Sequence, residues 1–98
     1  MTRYEREALD RELSRRASRA AIRAADTLRA ARNAAPGSIE RRSAARNAIN
    51  LANDAIFHLR GRRDIGADLS GRERRRIDRD IGDMNDIIRA ARQLLSTG

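Results

Sequence analysis

YEREALDRELSRRASRAAIRAADTLRAARNAAPG, residues 4–37, is the stretch whose reading decides the fold. From Tyr4 to Ala35 it holds neither glycine nor proline, and it then meets Pro36-Gly37, a strong helix stop. Leu9, Leu13, Ala17, Ala20, Ala24, Leu28, Ala31 and Ala35 recur at steps of three and four. At about 100° per residue they share one face, so the spacing predicts a single long helix over 4–35. Its stripe is mostly alanine, which invites a neighbouring helix to approach closely.

Working outward, Ser38 is placed to cap a second helix over 39–60, with Glu40 in its first turn and Gly61 just past its end. Its apolar residues form two adjoining rows: Ala45, Ile49, Ala52, Ile56 and Leu59 beside Ala44, Ala48, Leu51 and Ala55. A face that wide suits a helix with two neighbours. Residues 61–70 hold glycines among Asp and Arg and read as a loop, with Ile65 and Leu69 turned inward.

Ser70 and Glu73 form a capping-box pattern that opens a third helix over 71–95. Its seam is Ile77, Ile81, Met84, Ile88, Ala91 and Leu95, widened by Ile87 and Leu94. Gly82 interrupts that helix at about 1 kcal/mol relative to Ala, and close approach of another backbone is one explanation. Short connections favour antiparallel neighbours, so the expected fold is all-α: one domain, 1–98, an antiparallel three-helix bundle with a long Ala-rich first helix. That helix, at about 48 Å, outruns its partners. Either it breaks, or a second copy covers the excess and makes a homodimer.

Composition bounds the function. Of the apolar residues eighteen are alanine, so the core is expected to be thin. With no cysteine and one histidine, disulfides, thiol catalysis and Cys-ligated zinc are excluded. His58 lacks companions at ligand spacing and reads as a surface residue. No nucleophile elbow, phosphate loop or paired-carboxylate motif occurs, so neither an enzyme nor a cofactor is expected. Apolar runs are far too short for a membrane span, the first residues carry acids, and cytoplasm is the expected compartment.

All twenty-two basic residues are arginine, and the net charge is +8. Codon preference in a GC-rich bacterial or phage genome is the expected reason for the lack of lysine, with a functional demand for arginine as the alternative. The physical consequence is the same whatever the cause: every cation is a planar fork suited to phosphate or carboxylate, on a chain steered toward anionic partners.

Two clusters stand out. On the first helix Arg11, Arg15, Arg16, Arg19, Arg23 and Arg29 share an arc of roughly 140°, opposite the alanine stripe. Glu5, Glu12 and Asp26 lie in the same arc and are spaced to neutralise part of it. Antiparallel packing would also bring Arg60, Arg62 and Arg63 to the same corner as Arg72, Arg74, Arg75, Arg76 and Arg79. The latter run opposes the dipole of the helix it opens, a local rule broken without visible compensation, although Asp64, Asp68, Asp78 and Asp80 are near enough to pair.

No zinc-finger spacing, RNP-like pattern or helix-turn-helix signature accompanies these arginines, so salt-sensitive backbone contact is expected rather than base-sequence readout. Tyr4 and Phe57 alone make a poor stacking platform. Phe57 projects from the polar side of its helix near Asn47, Asn50, Asp54 and His58; it either covers the Ile65/Leu69 loop or is an apolar anchor for a protein partner. Ile22, set among the arginines of the first helix, raises the same question. The leading expectation is a non-enzymatic protein that docks on nucleic-acid backbone, DNA or RNA. The rivals are an acidic protein surface, as for a phage-encoded inhibitor of a bacterial protein–nucleic-acid complex, and a helical homodimeric subunit.

Overall fold

The computed structural model describes residues 1–65 and 69–97. Three helices run in order: α1 Arg3–Asn33, α2 Ile39–Asp64 and α3 Gly71–Ser96. Each starts on a hydroxyl cap that satisfies an orphan amide: Thr2 accepts from Glu5 N, Ser38 from Arg41 N, and Ser70 from Glu73 N. At α3 the Glu73 carboxylate reaches back to Ser70 N, completing the capping box. The α1–α2 turn passes through Gly37, whose φ of 75° is the conformation that favours glycine. Arg41 closes the same corner by donating from Nε to Ala31 O at 3.2 Å and from Nη2 to Arg32 O, two carbonyls at the end of α1.

Three core clusters fix the antiparallel, up-down-up arrangement. Ala17, Leu59 and Ile77 meet at one end, Ala24, Ala52, Ile56, Met84 and Ile88 in the middle, and Leu28, Ala31, Ala45, Ala48 and Ala91 at the other. Helix α2 packs extensively on both neighbours, whereas α1 and α3 touch sparingly. The two adjoining apolar rows of α2 serve those two contacts. Among the described residues nine of the fifteen buried apolar side chains are alanine, and Ile77 is the largest that is fully buried. Alanine contributes little burial per residue, so close backbone approach and dispersion contacts carry much of the packing.

Three expectations need correction. Helix α2 does not stop at Arg60: it continues through Gly61 to Asp64, so the connection is shorter than 61–70. Gly61 is a packing residue, not a terminator; a Cβ there would sit 3.3 Å from Leu13 Cδ1, because α1 crosses over it. Gly82 shows the reverse, since a Cβ would meet nothing within 4 Å and no backbone approaches it. Leu69 does turn inward, onto the Ala17–Leu59–Ile77 cluster, while Ile65 is the half-buried C-cap of α2.

The long first helix stays unbroken. Its 31 residues make about 46 Å against about 39 Å for each partner, within a molecule 51 Å along its longest axis. The excess falls at the N-terminus, where Tyr4 is exposed and the first buried residue is Ala17. Among the described residues no helix is long and apolar enough to cross a membrane.

Candidate binding surfaces

The arginines of α1 lie where the periodicity puts them. Arg11, Arg15, Arg16, Arg19, Arg23 and Arg29 are all exposed, with Arg11 at the edge of a cleft that reaches Glu73 of α3. Glu12 bridges Arg15 and Arg16, with its Oε1 2.9 Å from Arg16 Nε, and Arg29 reaches Asp26 at 3.4 Å. The hydrogen bonds from Arg15 and then Arg16 hold the Glu12 carboxyl below its ordinary range. Glu5 makes no ion pair among the described residues; its backbone amide takes the Thr2 cap instead. Arg11, Arg19 and Arg23 therefore keep uncommitted guanidinium groups, interspersed with paired ones.

The second cluster divides once α2 is seen to continue. Arg62 faces inward and pairs with Asp10 of α1, Nε to Oδ1 at 2.8 Å and Nη2 to Oδ2 at 3.4 Å, with side-chain exposures of 16% and 19%. This fork-to-carboxylate contact ties α1 to α2 and removes Arg62 from the binding surface. Arg63 donates to Asp78 at 2.6 Å, which sets the last turn of α2 beside the second turn of α3. Of the other candidate counter-charges, Asp64 and Asp80 make no ion pair among the described residues, and Asp68 lies outside them.

What remains is more sharply defined than the sequence suggested. Arg72, Arg75, Arg76 and Arg79 are exposed and fall in an arc of roughly 100° on α3. Arg74 lies outside it, on the side of Asp78, and Arg60 is exposed one turn before Arg63. Among the described residues none of these six arginines has a carboxylate within ion-pair distance. The Arg75 guanidinium folds back to the first turn, its Nη1 3.4 Å from the position a Gly71 Cβ would take. Positive charge is thus held at the positive end of the helix dipole, opposed only by the Glu73 of the capping box.

Concave features are poor candidates for an anion. A groove of about 530 Å3 between α1 and α3 is floored by Ala17, Leu59 and Met84, and its charged lining is Arg62 and Arg76 against Glu73, Asp80 and Asp83. Ile22, 63% exposed, stands on its rim. A smaller cleft of about 210 Å3 mixes Arg3, Arg6 and Arg11 with Glu7, Asp10 and Glu73. In both the acids offset the arginines, Arg76 included on its groove side, so the positive charge left unopposed is that of Arg72, Arg75 and Arg79 on the convex outer surface.

Phe57 does not cover the Ile65/Leu69 loop. It is 71% exposed, and its ring meets that of His58 edge to face at a centroid distance of 5.5 Å. His58 is the one that turns in: its side chain is only 13% exposed, its Nδ1 is buried without a hydrogen-bond partner, and its Nε2 lies 3.4 Å from Asp54. It is therefore not the surface residue expected. Among the described residues no three His, Cys, Asp or Glu side chains converge as a metal site requires.

No protein-family model, curated protein or solved structure matches this chain.

Proposed function

We propose that this protein is a non-catalytic binding protein that docks the arginine face of α3 on the phosphate backbone of nucleic acid, with low sequence specificity. One observation carries the reading: Arg72, Arg75, Arg76 and Arg79 are exposed on one arc and form no ion pair among the described residues, and the first two stand near the start of α3, against the dipole of their own helix. Arginines retained for solubility need no such placement. A polyanion laid across the arc supplies the missing negative charge to the guanidinium forks and the helix N-terminus together.

Arg60, exposed one turn before the Arg63 that meets Asp78, and the uncommitted Arg11, Arg19 and Arg23 of α1 add long-range steering. Contacts of this kind read phosphate positions and not base identity.

The test is a fluorescence-anisotropy titration of labelled DNA and RNA at several salt concentrations. The expected result is binding whose log affinity falls linearly with log salt, with little dependence on sequence. Undetectable binding to any nucleic acid at low salt overturns the reading. Competition by polyglutamate at matched charge as strong as that by nucleic acid points instead to carboxylates on an acidic protein partner.

A further inference from the structure

The outer flank of α2 presents a second pattern, which the arginine face of α3 leaves unused. Arg42, Arg46, Asn50, Asn53, Phe57 and Arg60 recur at steps of four and three, and all six are exposed. Helical geometry places them in an arc of about 80°, and Arg42 to Arg60 spans about 27 Å. None of these six is a carboxylate, and the acid that shares their arc, Asp64, lies beyond the Arg60 end. Asp54 is off to one side against His58, and Asp64 comes one turn after Arg60.

Toward the Arg60 end of this row stands an aromatic ring that is 71% exposed. The T-shaped contact with the largely buried His58 orients the ring, which is otherwise exposed. Its neighbours along the flank are amides and guanidinium groups; the exposed Ile39 is five turns away, about 27 Å. A protein hot spot needs an apolar surround that excludes water, and this ring has none. A nucleobase needs only the ring face for stacking, while asparagine offers the donor and acceptor pair that fits a base edge. Arginines at both ends of the row complement a strand's phosphates, and its length matches about eight nucleotides of stacked strand at about 3.4 Å each.

We propose that the α2 flank is a single-strand site: Phe57 stacks one unpaired base, Asn50 and Asn53 hydrogen-bond to base edges, and Arg42, Arg46 and Arg60 hold the flanking phosphates. A lone ring is no platform for a series of bases, but it is enough for one. The site rests on the nucleic-acid reading above and adds a preference for unpaired nucleotides that backbone contact alone does not produce. Arg60 stands one turn before Arg63, whose contact with Asp78 ties the end of this flank to α3.

The test uses the full chain with labelled twenty-nucleotide single-stranded DNA and RNA and with the matched duplex, comparing wild type, Phe57→Leu and Phe57→Tyr. Phe57 is exposed, so neither substitution disturbs the core, and circular dichroism checks this directly. Wild type should favour single strands. Phe57→Leu should lose roughly ten- to a hundredfold in single-strand affinity, with duplex affinity and the single-strand salt slope unchanged, and Phe57→Tyr should retain wild-type behaviour. Equal affinity for both forms together with an indifferent Phe57→Leu overturns the base site and leaves backbone binding standing. Absence of all binding at low salt overturns both. A Phe57→Leu defect confined to a protein partner, with nucleic-acid binding intact, overturns the base site in favour of a protein anchor.

Discussion

Removing charge from the start of α3 should change binding and stability in opposite directions. The perturbation is Arg72→Gln with Arg75→Gln, which keeps helix propensity nearly constant and deletes two exposed cations that have no acidic partner among the described residues. Each opposes the positive end of the α3 dipole, with the Arg75 guanidinium lying beside Gly71. For exposed groups that opposition is worth about 0.3 kcal/mol apiece, so the double variant should gain about 0.6 kcal/mol at low ionic strength. For a domain of this size that is a rise of roughly 2 to 5 °C in Tm. Part of any gain could come from relief of general repulsion in a +8 chain. Arg32→Gln is the control: it removes the same charge from the last turn of α1, where the dipole favours a cation, and should give no gain.

Binding should move the other way. Each lost phosphate contact lowers the slope of log affinity against log salt by about 0.9 on duplex and about 0.7 on single strands, so the double variant should lose about 1.8 and about 1.4. Thermal melts followed by circular dichroism and anisotropy titrations at 50 and 200 mM salt read the two effects. A fall in stability would show that these arginines are structural. An unchanged slope would show that they touch no phosphate. A gain shared equally by Arg32→Gln would remove the dipole from the explanation.

Three further outcomes follow from the packing. Gly82→Ala places a methyl group in open space on an exposed helix position and should stabilise by about 1 kcal/mol in urea unfolding; a loss would mean that a backbone does approach there. Asp10→Ala strands the largely buried Arg62 and should cost about 2 kcal/mol, between the values for exposed and buried pairs, with a non-additive double-mutant cycle against Arg62→Met; additivity would show that the pair does not couple. Ala48→Leu forces extra volume into a fully covered position among Leu28, Ala31 and Ala91 and should cost about 1 to 3 kcal/mol or more; a tolerated leucine would show that the helices are not as close as the alanine core implies.

Helix number, phase and direction were legible in the sequence because they follow from short-range rules. The three-and-four recurrence from Leu9 to Ala31, the Pro36-Gly37 stop, the Ser38 cap and the Ser70/Glu73 box each act over a few residues, and each appears in the structure, although α1 ends at Asn33 and leaves Ala35 exposed outside it, and α2 runs four residues past its expected end. The same periodicity made the six α1 arginines a single exposed face, and the 42-46-50-53-57-60 row was present as spacing although only part of it had been singled out.

Tertiary structure decided the fate of side chains whose environment is set by a distant segment. Gly61 has the sequence setting of a helix stop, yet Leu13 of α1 packs across it within a continuous α2, and Gly82 has the setting of a contact point, yet a Cβ there would meet nothing within 4 Å. Arg62 and Arg60 are two residues apart with the same chemistry, yet one is taken up by Asp10, fifty-two positions away, while the other faces solvent. Phe57 took the exposed one of its two expected places, whereas His58, expected at the surface, is turned in because α2 is covered on one side and bare on the other. Periodicity assigns each residue an angle on its own helix. Whether an arginine at that angle is a structural ion pair or a free binding group depends on what the neighbouring helix brings opposite it, and only the packed bundle sets that.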